Sequence, residues 1–243
     1  MFNAKSNRID ELAKLYKNRI NELETIFDKR TNVYIDFANI IHWQDKLGWH
    51  IDLKRLQQFL HSFDTVGDIK FYNGYIPNDP KSNKVIEKAR KRGYIVITKP
   101  VKFIKLSIDA SSVSPHSTEL IKQFVRNTLL RKLNVETIEY LNKRLKELNQ
   151  QGIKVLEDRK CNFDVEIGVD MLLDFHISKL ENYILWSGDS DFAGPIEQLL
   201  EKGKKVVLFA TARRVATELN DLRSKGLLIF DIQKIRNFIC YKK

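Results

Sequence analysis

The chain has 243 residues, 43% of them apolar, which is enough to bury a core as one domain with additions. No apolar run approaches the roughly 20 residues that cross a bilayer, and the opening stretch MFNAKSNRIDELAKLYKNR has no apolar leader core, so a cytoplasmic protein without a membrane span is expected. The formal charge of +11 is steepest at the end, where 11 Lys/Arg face 4 Asp/Glu from Glu201 onward, and such a surplus favours polyphosphate partners through Coulomb attraction and counterion release.

In chain order, residues 6–30 place Ile9, Leu12, Leu15, Tyr16, Ile20, Leu23 and Phe27 at helical spacing behind Ser6 as N-cap. This amphipathic N-terminal helix, set apart as residues 1–30, either packs on its own domain or offers a homodimer or partner contact. A larger domain over 31–243 then begins with 33-VYIDFANI-40, read as a short buried strand ending in polar residues. A helix over 52–63, a strand over 67–76, a helix over 81–93 closed by Gly93, and a strand region over 94–106 interrupted by Pro100 follow.

Residues 107–117 are a Ser-rich loop that opens a helical segment, so about 107–153 reads as an insertion or lid. Its cations Lys122, Arg126, Arg131, Lys132, Lys143, Arg144 and Lys146 are spread over predicted helices, as a lid gripping an anionic strand would have them. The alternation resumes with a helix over 164–180, a buried strand over 183–187, a helix over 192–203, a strand over 204–210, a helix around 214–223 and a strand over 227–232. Strands alternating with helices point to a parallel sheet covered on both faces.

In such sheets ligands bind beyond the carboxyl ends of the strands, where loops and helix N-termini converge. Asp36 ends the first strand, Asp189 and Asp191 follow another, and Asp164 opens a helix near the same edge. Carboxylates brought together in a cleft repel one another unless a cation neutralises them. An oxygen-only donor set without His or Cys suits Mg²⁺ or Mn²⁺, which would activate water for an in-line displacement at phosphorus while nearby Lys and Arg hold phosphate. The two cysteines, Cys161 and Cys240, have no zinc-ligand spacing and read as buried thiols.

These residues also carry a resemblance. The blocks 33-VYIDFANI-40, 160-KCNFDVEIGVDML-172 and 185-LWSGDSDFAGPIEQLLEKGKKVVLF-209 follow the order D-x-x-N, K-x-x-x-D-V with a helical Asp, and S-G-D-S-D-F before a G-K-x-V strand, and so resemble the NYN domain of the PIN-like nuclease superfamily, the group that includes the LabA/DUF88 proteins. The resemblance covers about 33–100 and 155–232. It implies an α/β fold, a PIN-like three-layer sandwich with a mostly parallel central sheet plus the N-terminal helix and helical insertion, and metal-dependent RNA cleavage. Carried over by position, Asp36, Asp164, Asp189 and Asp191 are the metal-site acids and Asn39 orients a water or substrate. Asp170 matches the family's helical Asp.

Around these acids, Lys160, Ser187, Arg213 and Arg214 are candidate substrate contacts, while Asp170, Glu166 and Ser190 are candidate supports standing behind the ligands. Glu166, Asp170 and Asp174 line one helix face at i, i+4, i+8 spacing; for Asp174 the plainer expectation is a solvated stripe. The absence of G-x-x-x-x-G-K-[ST] and G-x-G-x-x-G disfavours an NTPase or dehydrogenase, and Ala38 stands where a dehalogenase-type phosphatase needs a second Asp. The expected activity is therefore a Mg²⁺- or Mn²⁺-dependent endoribonuclease leaving 5′-phosphate and 3′-hydroxyl ends. A DNA or flap nuclease and a non-catalytic nucleic-acid-binding or adaptor module keeping the fold are the alternatives.

Overall fold

A computed structural model describes residues 1–178, 180–211 and 215–241. The chain splits into two compact units, one made of Met1–Pro100 with Cys161–Lys243 and the other of Val101–Lys160.

In the first unit, α1 (Asn7–Leu15) starts where the Ser6 hydroxyl accepts the Ile9 N–H, and the helix breaks at Tyr16 before α2 (Lys17–Ile26). One continuous helix is the simplest reading of the periodicity. The break is explained by Tyr16, whose ring sits edge-on to Phe238 and whose hydroxyl accepts from the Asn237 amide at 2.7 Å. Ile9, Ile20, Leu23, Ile26 and Phe27 enter the main core, and Phe27 stacks on Phe63. The apolar face of this segment is therefore used by its own unit.

Next come β1 (Thr31–Asp36), α3 (Phe37–Leu47), β2 (His50–Ile51), α4 (Leu53–Leu60), β3 (Val66–Tyr72), α5 (Pro80–Lys91) and β4 (Ile95–Ile97). The strand expected over 33–40 ends early, at Asp36, because the Asp36 carboxylate caps α3 by accepting the Asn39 N–H, and Gly48 closes that helix at φ 65. Asn39 thus sits in the first turn of a helix. The apolar, Ile-rich run in between carries no periodicity that separates strand from helix.

The second unit holds β5 (Lys102–Ser107), α6 (Asn127–Leu130), α7 (Val135–Gln150) and β6 (Val155–Lys160). Strands β5 and β6 form an antiparallel ribbon running from the pair Lys102–Lys160 to Ser107–Val155. The Ser-rich loop is ordered by two asparagines seven residues apart on α7. Asn142, 1% exposed, donates to the Pro115 and Ser117 carbonyls, and Asn149 accepts the Ala110 N–H and donates to the Ile108 carbonyl.

Back in the first unit, α8 (Asp164–Ile177), β7 (Asn182–Trp186), α9 (Ala193–Glu201), β8 (Lys205–Ala210), α10 (Thr217–Asp221), β9 (Leu228–Asp231), α11 (Arg236–Ile239) and β10 (Cys240–Tyr241) complete the chain. Six strands make one parallel sheet in the order β4-β3-β1-β7-β8-β9, with helices on its faces, and β10 pairs with β2 in a small antiparallel sheet. This is the α/β architecture of a PIN-like three-layer sandwich. β1 and β7 are buried along their whole length, which is why both read as unbroken apolar runs. Among the described residues no helix is long and apolar enough to cross a membrane.

Candidate active site

From β1 the chain steps to β3 and β4 on one side, while β7, β8 and β9 extend the sheet on the other. The order therefore reverses between β1 and β7, and a parallel sheet opens a crevice beyond the carboxyl ends of its strands at such a point. Asp36 is the last residue of β1, and Ser187, Gly188 and Asp189 directly follow β7.

The two strand ends are tied together by one hydroxyl. Ser187 is fully buried; its Oγ accepts from Asn39 Nδ2 at 3.0 Å and from the Asp189 N–H at 3.3 Å, and donates to Asp36 Oδ2 at 3.4 Å. The other carboxylate oxygen of Asp36 accepts the Asn39 N–H at 3.3 Å. Three residues carried over from the family pattern, Asp36, Asn39 and Asp189, thus converge on Ser187. Ser187 itself lies beneath the acids, where it positions them, instead of on a surface that a substrate could touch. Asp189 caps the short turn Ser190–Phe192 by accepting the Asp191 N–H, which leaves Asp191 exposed and Ser190 half-buried. The Gly188 carbonyl accepts the Ala216 N–H, anchoring this loop to the start of α10.

Asp164 opens α8 and accepts from the Asn162 amide at 2.7 Å. Burial raises its pKa, and the nearby Asp189 and Asp191 carboxylates raise it further. Asp36, 5% exposed, is pushed up to about 6, mainly by burial and also by Asp164, against the hydrogen bonds it accepts from Asn39 and Ser187. Asp164 therefore links the acids electrostatically, acting on Asp36 on one side and feeling Asp189 and Asp191 on the other. Among the described residues no three His, Cys, Asp or Glu side chains stand in a group that could already close around a metal ion. The donor set nonetheless fits a hard cation: it consists of carboxylate oxygens only, and their mutual repulsion is what a divalent ion would relieve.

The remaining candidates separate. Glu166 pairs with Lys99, and Asp170 accepts the Tyr72 hydroxyl at 2.6 Å. Asp174 accepts from Tyr34 at 2.5 Å, Asn32 at 3.0 Å and Lys70 at 3.1 Å. The acidic row on α8 is consequently a polar seam against β1 and β3, and the solvated stripe expected for Asp174 is corrected: its side chain is only 17% exposed. The outward row of the same helix is apolar instead, with Val165, Val169, Leu173 and Ile177 exposed. Lys160 ends β6 in the second unit, directly opposite Lys102 and exposed. Arg213 and Arg214 lie outside the described residues.

Lys99 is a residue that the sequence reading missed. It follows β4 at the carboxyl edge of the sheet; its ammonium sits 4.7 Å above the Phe163 ring and is close enough to Asp164 to favour that carboxylate's charged form. Its position two residues after a strand end, just before Pro100, was the available signal.

Comparison with known proteins follows the same outline. The NYN domain family model matches residues 115–225, a span that contains Asp164, Asp170, Asp189 and Asp191, begins inside the segment read as an insertion, and leaves Asp36 and Asn39 outside. The chain is 24% identical over 214 residues to the Low amplitude and bright protein LabA of Synechococcus elongatus, covering 86% of this chain and 87% of that protein. A crystal structure of a protein of unknown function from Vibrio parahaemolyticus superposes with a TM-score of 0.52 at 16% identity, covering 88% of this chain and 96% of the other. At that identity the likeness speaks to the fold alone.

Proposed function

We propose that this chain, an NYN/PIN-like family protein, is a divalent-metal-dependent endoribonuclease that hydrolyses RNA phosphodiester bonds in the crevice between β1 and β7. The observation that carries the reading is the convergence of Asp36, Asn39 and Asp189 on the buried Ser187 hydroxyl, with Asp164 in electrostatic reach. A reversal of strand order with acids on both sides is where a parallel α/β sheet binds its ligands.

In this reading Asp36, Asp164, Asp189 and Asp191 would hold Mg²⁺ or Mn²⁺. When bound, such an ion lowers the pKa of a water and offsets charge on the leaving oxygen. The protein's own contribution is preorganisation. Ser187 and the first turn of α3 keep the Asp36 and Asp189 ends of two strands in fixed relation, so little reorganisation is left for the reaction. Asn39, with its amide nitrogen donating to Ser187, presents its amide oxygen as an acceptor that can orient a water or a ribose hydroxyl. Lys99 supplies a cation beside Asp164 that would neutralise a phosphate oxygen.

The test is cleavage of a mixed RNA substrate with Mn²⁺ by wild type and Asp189→Asn. A loss of at least about 100-fold in the variant is expected for removal of a metal-site acid, with products bearing 5′-phosphate and 3′-hydroxyl ends. Equal activity in the two proteins, or cyclic phosphate ends, refutes the assignment. RNA binding without cleavage by wild type would favour a non-catalytic binding module.

A further inference from the structure

A second polar site lies in the first unit among residues that the acidic crevice does not use. Arg8 of α1, Arg55 of α4 and Arg236 of α11 line one cavity of about 650 Å³ together with Gly48, Trp49 and Tyr241. Among the described residues none of the three guanidinium groups forms a salt bridge. Arg8 donates to the Phe238 carbonyl at 2.9 Å and also to the Asn237 carbonyl, and Arg55 donates to the Cys240 carbonyl at 2.5 Å. Each guanidinium carries five N–H donors, so most of these donors have no protein acceptor among the described residues.

The same convergence is felt at Cys240. Its thiol is pushed up to about 12 by burial, while Arg55, Arg236 and Arg8 all act in the opposite sense on it. Arg8 is itself held below its usual range, first by burial and then by the Arg55 cation. Holding like charges together costs energy, and capping the last carbonyls of a four-residue helix does not require three arginines. The acid that acts on this group is Asp52, whose carboxylate also caps α4 by accepting the Arg55 backbone N–H. Among the described residues, three cations against this one anion leave two positive charges to be matched, and a phosphomonoester carries about −1.5 to −2 at neutral pH, whereas a carboxylate carries only one charge. Guanidinium groups are also the preferred donors for phosphate oxygens. The cavity volume is in the range of small-ligand sites, and Tyr241, 42% exposed, offers a ring at its wall.

We propose that Arg8, Arg55 and Arg236 form a binding site for the terminal phosphate of a nucleotide, with Tyr241 against its base. The same chemistry is presented by a free mononucleotide and by a 5′-phosphorylated RNA end. The site stands independently of the nuclease reading.

The experiment is calorimetric titration of the full chain in EDTA at low salt, which keeps divalent ions from recruiting phosphate to the acids. The probes are AMP, adenosine, a 5′-phosphorylated tetranucleotide and its 5′-hydroxyl counterpart. AMP is expected to saturate one site per chain and adenosine to bind at least about tenfold more weakly, as the loss of charge-assisted hydrogen bonds implies. Arg236→Gln should weaken AMP by about the same factor without shifting Tm, because Arg236 is exposed and donates no hydrogen bond to the protein among the described residues. Phosphate-dependent binding of AMP alone identifies a free nucleotide as the ligand; preference for the phosphorylated over the hydroxyl tetranucleotide extends the site to RNA ends. No saturable binding of AMP or of the phosphorylated tetranucleotide, or equal binding by wild type and Arg236→Gln, overturns the proposal.

Discussion

Asp174→Ala tests whether the α8 seam holds the fold together. In the wild type this carboxylate accepts from the Tyr34 hydroxyl at 2.5 Å and the Asn32 amide at 3.0 Å, and lies 3.0 Å from the Lys70 ammonium. The side chains of Lys70 and Asp174 are 13% and 17% exposed. Truncation would leave a largely buried ammonium whose next acid, Asp170, is 3.9 Å away and already bonded to Tyr72. Breaking a buried pair from one side costs about 3–5 kcal/mol where the abandoned charge is left uncompensated, and the remaining Asp170 charge places the expected cost at the lower end, about 3 kcal/mol. Tyr34→Phe removes only a neutral donor while Asn32 and Lys70 remain, and should cost about 1 kcal/mol. Urea unfolding at pH 7 followed by tryptophan fluorescence reads both values, with m unchanged if the native state keeps its compactness. A cost for Asp174→Ala below about 1 kcal/mol would mean that the seam is solvated or that Lys70 finds another partner, and the reasoning fails. Burial alone would raise the Asp174 pKa, but the hydrogen bonds from Tyr34, Asn32 and Lys70 outweigh it and hold the group below the usual carboxylate value. A depressed folded pKa gives stability that is complete above the unfolded value of about 3.9 and lost as pH falls through the folded one. The gap between wild type and Asp174→Asn should therefore close on acidification below about pH 4. A gap that persisted there would remove the charge from the explanation.

Gly168 lies at a close approach of α8 to α9, since a Cβ built there meets Pro195 Cγ at 3.0 Å; Gly168→Val should lower stability by about 1–3 kcal/mol through overpacking, and a neutral result in urea unfolding would show that α9 gives way freely. In the second unit, reversing Arg131 and Lys132 to Glu should weaken RNA binding and flatten its salt dependence while leaving Mn²⁺ affinity unchanged, if this segment grips the substrate. Unaltered RNA affinity across a salt series would leave the unit as scaffold or partner surface.

What the sequence made legible followed from burial on both faces of the sheet. Strands such as 183–187 and 204–210 appear as unbroken apolar runs because parallel strands are covered above and below; Asp36 and Asp189 stood out as charges at the ends of such runs, and Asp164 as the acid that opens a helix near the same edge. Three features were not visible for equally physical reasons. The strand-to-helix change at Asp36 is made by a side-chain cap within an apolar stretch, which hydrophobic period alone does not resolve. β5 overlaps the strand region expected over 94–106, but its partner β6 is exposed along its whole length and lacks the apolar alternation that betrays a half-buried strand. The partners of the α8 acids lie on β1 and β3, far away in sequence, and nothing local distinguishes a carboxylate that meets a sheet tyrosine from one that meets water.

The seam bears on the candidate site through the geometry of a single helix. Asp164 is the first residue of α8, while Asp170 and Asp174 lie one face of the same helix against the sheet through Tyr72, Tyr34 and Lys70. An α-helix is stiff over its 14 residues, so bonds made in its middle and last turns fix the rotation at which its first residue meets Asp36 and Asp189. The tight contact of Gly168 with Pro195 sets its height against α9, the helix that the Asp189 turn leads into. Asp36, in turn, is fixed by β1, the strand that carries Tyr34 and Asn32. The same two elements therefore hold both the seam and two of the site's acids. A carboxylate cluster that repels itself needs such a frame: without bonds elsewhere along α8, the helix would relieve the repulsion by drawing Asp164 away, and the crevice would lose the charge that suits it to a cation.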